Sequence, residues 1–305
     1  MTFLKKLLSV LILLAISVFS SCSSNGTLEE YDADAPATVK DERTLIQTSP
    51  YTGRKPLDPI KFSVSDPENN RNLSIERIEH AFGAAKNGKP HEIAESAQKF
   101  FEKTGYKTFC YDTKTKEKVL YLTFDCGWEN GYTAAVLDTL KEKNVSAAFF
   151  CTLDHIKSEP KLIARMINEG HIVGNHSAKH PDFSKISRQR MADEILECDS
   201  FLREKFGYSA PFFRFPEGAY TENALELVDS MGYTSVFWSC SYADWDAENP
   251  KGSDYAFEKI TSRLHPGAVI LLHSVSPDNA EALGRIIDFA RQNGYEFHSL
   301  TDYIA

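Results

Sequence analysis

From Val119 onward, short runs of apolar and β-branched residues alternate with longer stretches whose apolar positions recur every three or four residues. The short runs predict strands at 119–124, 146–151, 171–175, 212–215, 234–239, 268–273 and 296–300. The longer ones predict helices at 131–143, 160–169, 188–206, 222–231, 255–264 and 279–293. Gly170, Gly207, Gly232 and Gly294 fall at helix ends, where a left-handed cap residue is favoured. Strict strand-helix alternation implies a parallel sheet with right-handed crossovers. Seven strands suit either a closed barrel or an open doubly wound sheet, and periodicity does not separate the two. The strand at 119–124 is apolar or β-branched throughout, as burial on both faces requires, and it runs straight into Asp125, Cys126 and Gly127.

Upstream, 75–85 and 91–103 keep helical spacing through Ile78, Ala81, Phe82 and Ala85 and through Ile93, Ala97, Phe100 and Phe101. They predict a helical extension over 73–117 packed on a main domain at 118–305. Residues 22–72 are rich in Asp, Glu, Pro, Ser, Thr and Asn without a hydrophobic period, and read as a flexible tether. Residues 1–21 have the form of a secretory leader, with Lys5 and Lys6, an apolar run from Leu7 to Phe19, and small residues before Cys22. The Ser20-Ser21-Cys22 junction is similar to a bacterial lipobox, which predicts a lipid on Cys22 and a place on the extracytoplasmic face of the cell membrane. Cleavage by the ordinary signal peptidase, without lipid, is the alternative.

The formal net charge of −9 argues against nucleic acid as a partner. Apart from Cys22 the cysteines are Cys110, Cys126, Cys151, Cys198 and Cys240, an odd number with no C-x-x-C pair, so no disulfide framework is expected. The chain is expected to be a monomer.

The residues just past each strand carry the chemistry, because parallel α/β folds keep their sites at the carboxyl ends of strands. Two imidazoles four apart, His176 and His180, share one face of a helical turn and can take one metal ion at about 2.0–2.1 Å. A bare H-x-x-x-H also occurs without metal; its position after a strand and before Pro181 favours the ligand reading. Asp125 could be a turn former ahead of glycine, yet a buried strand leading into a carboxylate, with a cation such as Arg214 nearby, suits a general base. Arg214, flanked by Phe213, Phe215 and Pro216, is expected to have a buried stem and a paired head. His273 ends the most apolar strand, either as a hydrogen-bonded core residue or as a general acid across the rim from Asp125. Trp128, Trp245, Tyr132, Tyr220 and Tyr242 lie in or beside these loops, where aromatic faces suit stacking on sugars, whereas Trp238 lies within a strand and reads as core.

Taken in order, Thr123-Phe-Asp-Cys-Gly127, His176-x-x-x-His180-Pro181, Arg214-Phe-Pro-Glu-Gly218, Asp244-Trp245 and Leu271-Leu-His273 resemble the five motifs of the carbohydrate esterase family 4 polysaccharide deacetylases. The surrounding residues, including Asp125-Cys-Gly-Trp-Glu-Asn-Gly-Tyr-Thr133 and Val236-Phe-Trp-Ser239, are similar to the delta-lactam-biosynthetic branch, which removes acetyl from N-acetylmuramic acid in peptidoglycan. The resemblance implies a distorted (β/α) barrel of about seven parallel strands and a divalent metal ion, zinc being favoured. It implies that Asp125 is the base, His176 and His180 metal ligands, and His273 the acid. Arg214 would orient Asp125, and the backbone N–H of Glu217 would help hold the oxyanion. Trp128, Asn130, Tyr220 and Trp245 are the expected contacts to a glycan strand. N-acetylglucosamine in peptidoglycan or chitin oligomers is the alternative substrate, and an inactive glycan-binding module the alternative of another class.

Two positions depart from the family pattern. Its second aspartate, normally the third protein ligand, is Cys126 here, either completing a His₂Cys set that favours zinc or not coordinating at all. Its D-x-x-D-W appears as Ser241-Tyr-Ala-Asp244-Trp245, so only the second aspartate, Asp244, is present and the first is not there to tune His273.

Overall fold

The computed structural model describes residues 48–304; the expected leader, the lipid on Cys22 and the first half of the tether lie outside them. In chain order the elements are β1 (Ile78–Glu79), α1 (Glu92–Thr104), β2 (Thr108–Phe109), β3 (Val119–Cys126), α2 (Thr133–Glu142), β4 (Ala148–Cys151), α3 (Leu153–Ser158), α4 (Pro160–Asn168), β5 (Ile172–Asn175), α5 (Arg188–Phe206), β6 (Phe212–Phe213), β7 (Ala219–Tyr220), α6 (Glu222–Ser230), β8 (Thr234–Val236), α7 (Ser253–Thr261), β9 (Ala268–His273), α8 (Pro277–Gln292), β10 (Glu296–His298) and α9 (Leu300–Ile304).

All eight residues of β3 are buried, and it pairs in parallel with β4, β9 and β10. The order continues β4-β5-β6-β8, with β2 at the far edge, every pairing being parallel. Just beyond β8 the backbone of Ser239 and Cys240 reaches β9: Ser239 N–H donates to Val269 at 3.0 Å and Leu271 N–H to Cys240 at 2.9 Å. That bridge curls the sheet into a distorted barrel, which resolves the choice between barrel and open sheet. β5 and β6 are likewise joined by one residue pair, Asn175 and Phe213.

The period of two along a strand sorts side chains between the barrel interior and the layer under the helices. On β3, Val119 and Tyr121 pack inside with Ala148, Phe150 and Val269, whereas Leu120, Leu122, Phe124 and Cys126 pack outside against α2, α4 and α8. Asp125 shares the parity of Tyr121 and so faces inward. His273, two pairs along from Val269 on β9, does the same.

Two upstream expectations change. The stretch 75–85 is not a helix: Ile78 and Glu79 form β1, antiparallel to β7 with Ile78 opposite Tyr220. Ile78 packs on an aromatic cluster containing Phe101, Tyr220 and Phe237, so a tertiary pairing overrides the local spacing. Residues 48–72 hold no helix or strand but lie along α5 and α6. Tyr51 stacks on Phe206 at 5.1 Å, Leu57 N–H donates to Arg203 at 3.0 Å, and Arg71 pairs with Glu226 at 2.8 Å. Gly207 caps α5 at φ 59°, and a Cβ there would stand 2.2 Å from the Lys55 carbonyl oxygen, so glycine also lets this segment approach.

Candidate active site

Asp125 lies at the inward-facing end of β3, and Arg214, just past β6, is wholly buried beneath it. The guanidinium Nη1 donates to Asp125 Oδ1 at 2.8 Å and Nε to the Val236 carbonyl at 2.8 Å, while the cation sits 4.2 Å from the Phe150 ring centroid. Burial alone would push the Asp125 carboxyl up, but Arg214, with His176 and His273, outweighs it and leaves the acid below its ordinary value. The carboxylate is therefore an ionised acceptor whose Oδ2 faces the cavity.

His176 Nε2 lies 3.7 Å from that Oδ2. Its Nδ1 is 2.8 Å from the Arg214 carbonyl oxygen, which fixes an Nδ1–H tautomer and leaves the Nε2 lone pair toward Asp125. Burial, against the pull of Asp125, lowers its pKa to about 4, so the imidazole is neutral. The expected helical turn through His176 and His180 is absent: Ser177 and His180 take left-handed backbone, with φ of 70° and 56°. The rings still meet, centroids 4.8 Å apart at 77°. A neutral imidazole, a carboxylate oxygen beside it and a second imidazole at the exposed rim make a donor set that fits a divalent ion.

Beside Asp125, and not across the rim from it, His273 is its direct register partner on the adjacent strand β9. Asp244 grips it twice, accepting from the backbone N–H at 2.8 Å and from Nδ1 at 2.7 Å, and Asn279 holds Asp244 in turn at 2.6 Å. Burial works against a charged ring, yet Asp244, then Asp125 and Cys126, raise the His273 pKa to about 9. With Nδ1 so occupied, Nε2 is the proton left to give. Asp244 alone meets the need for a partner; Ser241, at the position of the missing aspartate, donates to the Leu271 carbonyl instead.

These groups open into one cavity of about 810 Å³. Trp128 and Trp245 stand at its mouth, 52% and 63% exposed, and Trp245 meets His273 edge-on at 6.3 Å. Glu217 is on the wall with φ 58° and ψ 2°, a conformation costly for a residue with a Cβ; its side chain points out to Arg77, 3.5 Å away. The following Gly218 allows this turn, since a Cβ there would come within 2.7 Å of Trp238.

Three expected site residues lie elsewhere. Tyr220 is buried among Phe100, Phe101, Phe215 and Phe237, because its parity on β7 turns it into the core. Asn130 braces the loop after β3, donating to the Val275 carbonyl at 3.0 Å, and does not line the cavity. Cys126 points to the outer layer, 3.2 Å from Ser274 Oγ, on the face of β3 opposite Asp125. It cannot join His176 and His180 at one ion, so the thiolate argument for zinc at this centre falls away. Conversely, Trp238 lines the cavity, as do Glu79, His80 and Phe82 from β1 and the segment after it. His80 is anchored by a 2.7 Å hydrogen bond between its Nε2 and the Trp238 carbonyl oxygen. These walls depend on a pairing between β1 and β7 that no local pattern announces.

A family model described as polysaccharide deacetylase matches residues 112–236. The peptidoglycan-N-acetylmuramic acid deacetylase PdaA of Bacillus subtilis is 41% identical over 231 residues, covering 74% of this chain and 86% of that protein. A peptidoglycan-N-acetylglucosamine deacetylase of Bacillus cereus is 32% identical over 183 residues, covering 59% of this chain and 66% of that protein. The solved structure of Bacillus subtilis PdaA, a family 4 carbohydrate esterase, superposes with a TM-score of 0.70 at 39% identity, over 75% of this chain and 97% of that one.

Proposed function

The chain belongs to the polysaccharide deacetylase family, and we propose that it hydrolyses the acetamide of N-acetylmuramic acid residues in peptidoglycan, releasing acetate and leaving an amine on the sugar. The observation that carries this reading is the pair of neighbouring devices lining one cavity, an ionised Asp125 held by Arg214 and a protonated His273 held by Asp244. The similarity to an N-acetylmuramic acid deacetylase favours that sugar over N-acetylglucosamine.

In this mechanism Asp125 accepts a proton from the attacking water as oxygen bonds to the acetamide carbon. The Glu217 N–H donates to the carbonyl oxygen as negative charge gathers there. His273 Nε2 then protonates the nitrogen while the C–N bond breaks, so the sugar leaves as an amine and the acyl group as acetate. Asp244 keeps the imidazolium in place for that transfer. His176, His180 and Asp125 would hold a divalent ion, for which zinc suits the donor types; bound there it would supply Lewis-acid polarisation of the carbonyl and lower the pKa of water. Trp128 and Trp245 offer their faces to the sugar rings. The leader and the Ser20-Ser21-Cys22 junction support an exported, lipid-anchored protein acting on the glycan strand.

Acetate release from isolated peptidoglycan tests the reading. Chelation should abolish release and a divalent ion restore it; release that ignores both would refute the proposed centre. The pH profile carries a further expectation. His273 is protonated below about pH 9 and Asp125 is ionised from acidic pH upward, so kcat/KM should hold through neutrality and fall as pH rises past about 9. Asp244→Asn removes the main cause of that rise, moving the alkaline fall toward the ordinary imidazole value of about 6.5. An unmoved limb would remove Asp244 from this role.

A further inference from the structure

Behind the catalytic centre, on the outer face of the barrel, lies a second constellation of metal-ligand type. Cys126 ends β3, Cys151 ends β4, and the two are direct partners in the parallel register. His155 stands in the first turn of α3, whose cap Thr152 follows Cys151 directly. The ligand atoms of Cys126, Cys151 and His155 all lie within 4.8 Å of one another, and none of the three residues lines the cavity. Two Zn–S bonds of about 2.3 Å and a Zn–N bond of about 2.0–2.1 Å set tetrahedral donors roughly 3.5–4 Å apart, a spacing this cluster reaches with small rotations.

The imidazole supplies an independent reason. His155 is 1% exposed, yet neither Nδ1 nor Nε2 has a hydrogen-bond partner. Most buried side-chain polar atoms find a partner, and among the described residues His155 is the only imidazole with both nitrogens buried and unpartnered; an apolar residue would fill this place at no such penalty. Beside it is Glu129, whose Oε2 is also buried without a partner and whose charge bears on His155. Glu129 Oε1 is already committed, accepting from Gly131 and Thr133 N–H groups, so the loop holds the carboxylate in place.

We propose that Cys126, Cys151 and His155 bind a structural zinc ion separate from the catalytic centre, with Glu129 as fourth ligand or as acceptor for the remaining imidazole N–H. The thiols enter as thiolates, two protons leaving for each zinc bound, and a dication offsets the burial that otherwise keeps Cys151 protonated. The ion would tie β3 to β4 one residue behind Asp125. Soft sulfur donors select zinc or its cobalt surrogate over harder ions.

The test uses the full chain carrying His176→Ala and His180→Ala, so that metal at the catalytic centre does not contribute, purified with and without reductant. Titration of the reduced, metal-free protein with Co²⁺ should give one ion per chain with thiolate-to-cobalt charge-transfer absorption, displaced by Zn²⁺. Cys126→Ala and Cys151→Ala together should abolish the band, and His155→Ala should weaken binding tenfold or more. X-ray absorption at the zinc edge of the protein with its cysteines intact should show sulfur at about 2.3 Å, a readout that needs no cysteine variant to fold. A shell of nitrogen and oxygen only, a band that survives loss of both cysteines, or a Cys126–Cys151 disulfide in protein isolated without reductant would each overturn the site.

Discussion

Asp125→Asn is expected to lower kcat by about a thousandfold or more. Loss of a positioned general base alone costs about 10²–10⁴-fold, and here the same side chain also offers an oxygen 3.7 Å from His176 Nε2. Asparagine preserves the shape and can still accept from Arg214, so the fold should persist while the proton acceptor is gone. The comparison is acetate release at saturating peptidoglycan by the two proteins, with circular dichroism to verify folding. Activity within tenfold of the parent would show that another group takes the proton.

Arg214→Met should cost both stability and rate. The guanidinium is wholly buried, bonds Asp125 and the Val236 carbonyl, and lies over Phe150. Breaking a buried pair from one side costs about 3–5 kcal/mol, because the remaining charge has lost its partner. The sign for Asp125 follows from the opposing causes: with Arg214 removed, burial is opposed only by His176 and His273, the carboxyl protonates at higher pH, and the acid limb of the rate profile moves up. Denaturant midpoints read the first effect and kcat against pH the second. A variant as stable as the parent with an unmoved acid limb would mean that Arg214 neither buttresses the strand ends nor holds the base ionised.

The parts of the site that were legible before the fold share one property: Asp125, His176, Arg214 and His273 each end or closely follow a run that reads as a strand, so their place at one rim follows from topology. The assignment of Cys126 to that rim failed on a rule visible in the same run. Leu120, Leu122 and Phe124 alternate with Tyr121 and Asp125, and a residue adjacent to Asp125 on a strand must face the other way. Tyr220 failed similarly, being placed by proximity to a loop rather than by parity. No comparable signal existed for His80 and Phe82. They reach the cavity because β1 pairs with β7 some 140 residues away, a contact whose reward is tertiary burial of Ile78, while the local spacing around Ile78 suggested a helix. The turn at Glu217 was anticipated through its backbone N–H, but its left-handed conformation depends on Gly218 fitting against Trp238, which only the packed structure reveals.

Which sugar loses its acetyl group is decided most directly by muropeptide mass analysis. Isolated peptidoglycan is incubated with the protein or with its Asp125→Asn variant, digested, and fragmented to assign each mass change to one sugar. Muramic acid residues, and only in the sample treated with the parent protein, should lose the mass difference between acetyl and hydrogen. The same loss confined to glucosamine residues, or no loss on either sugar, would contradict a muramic acid deacetylase.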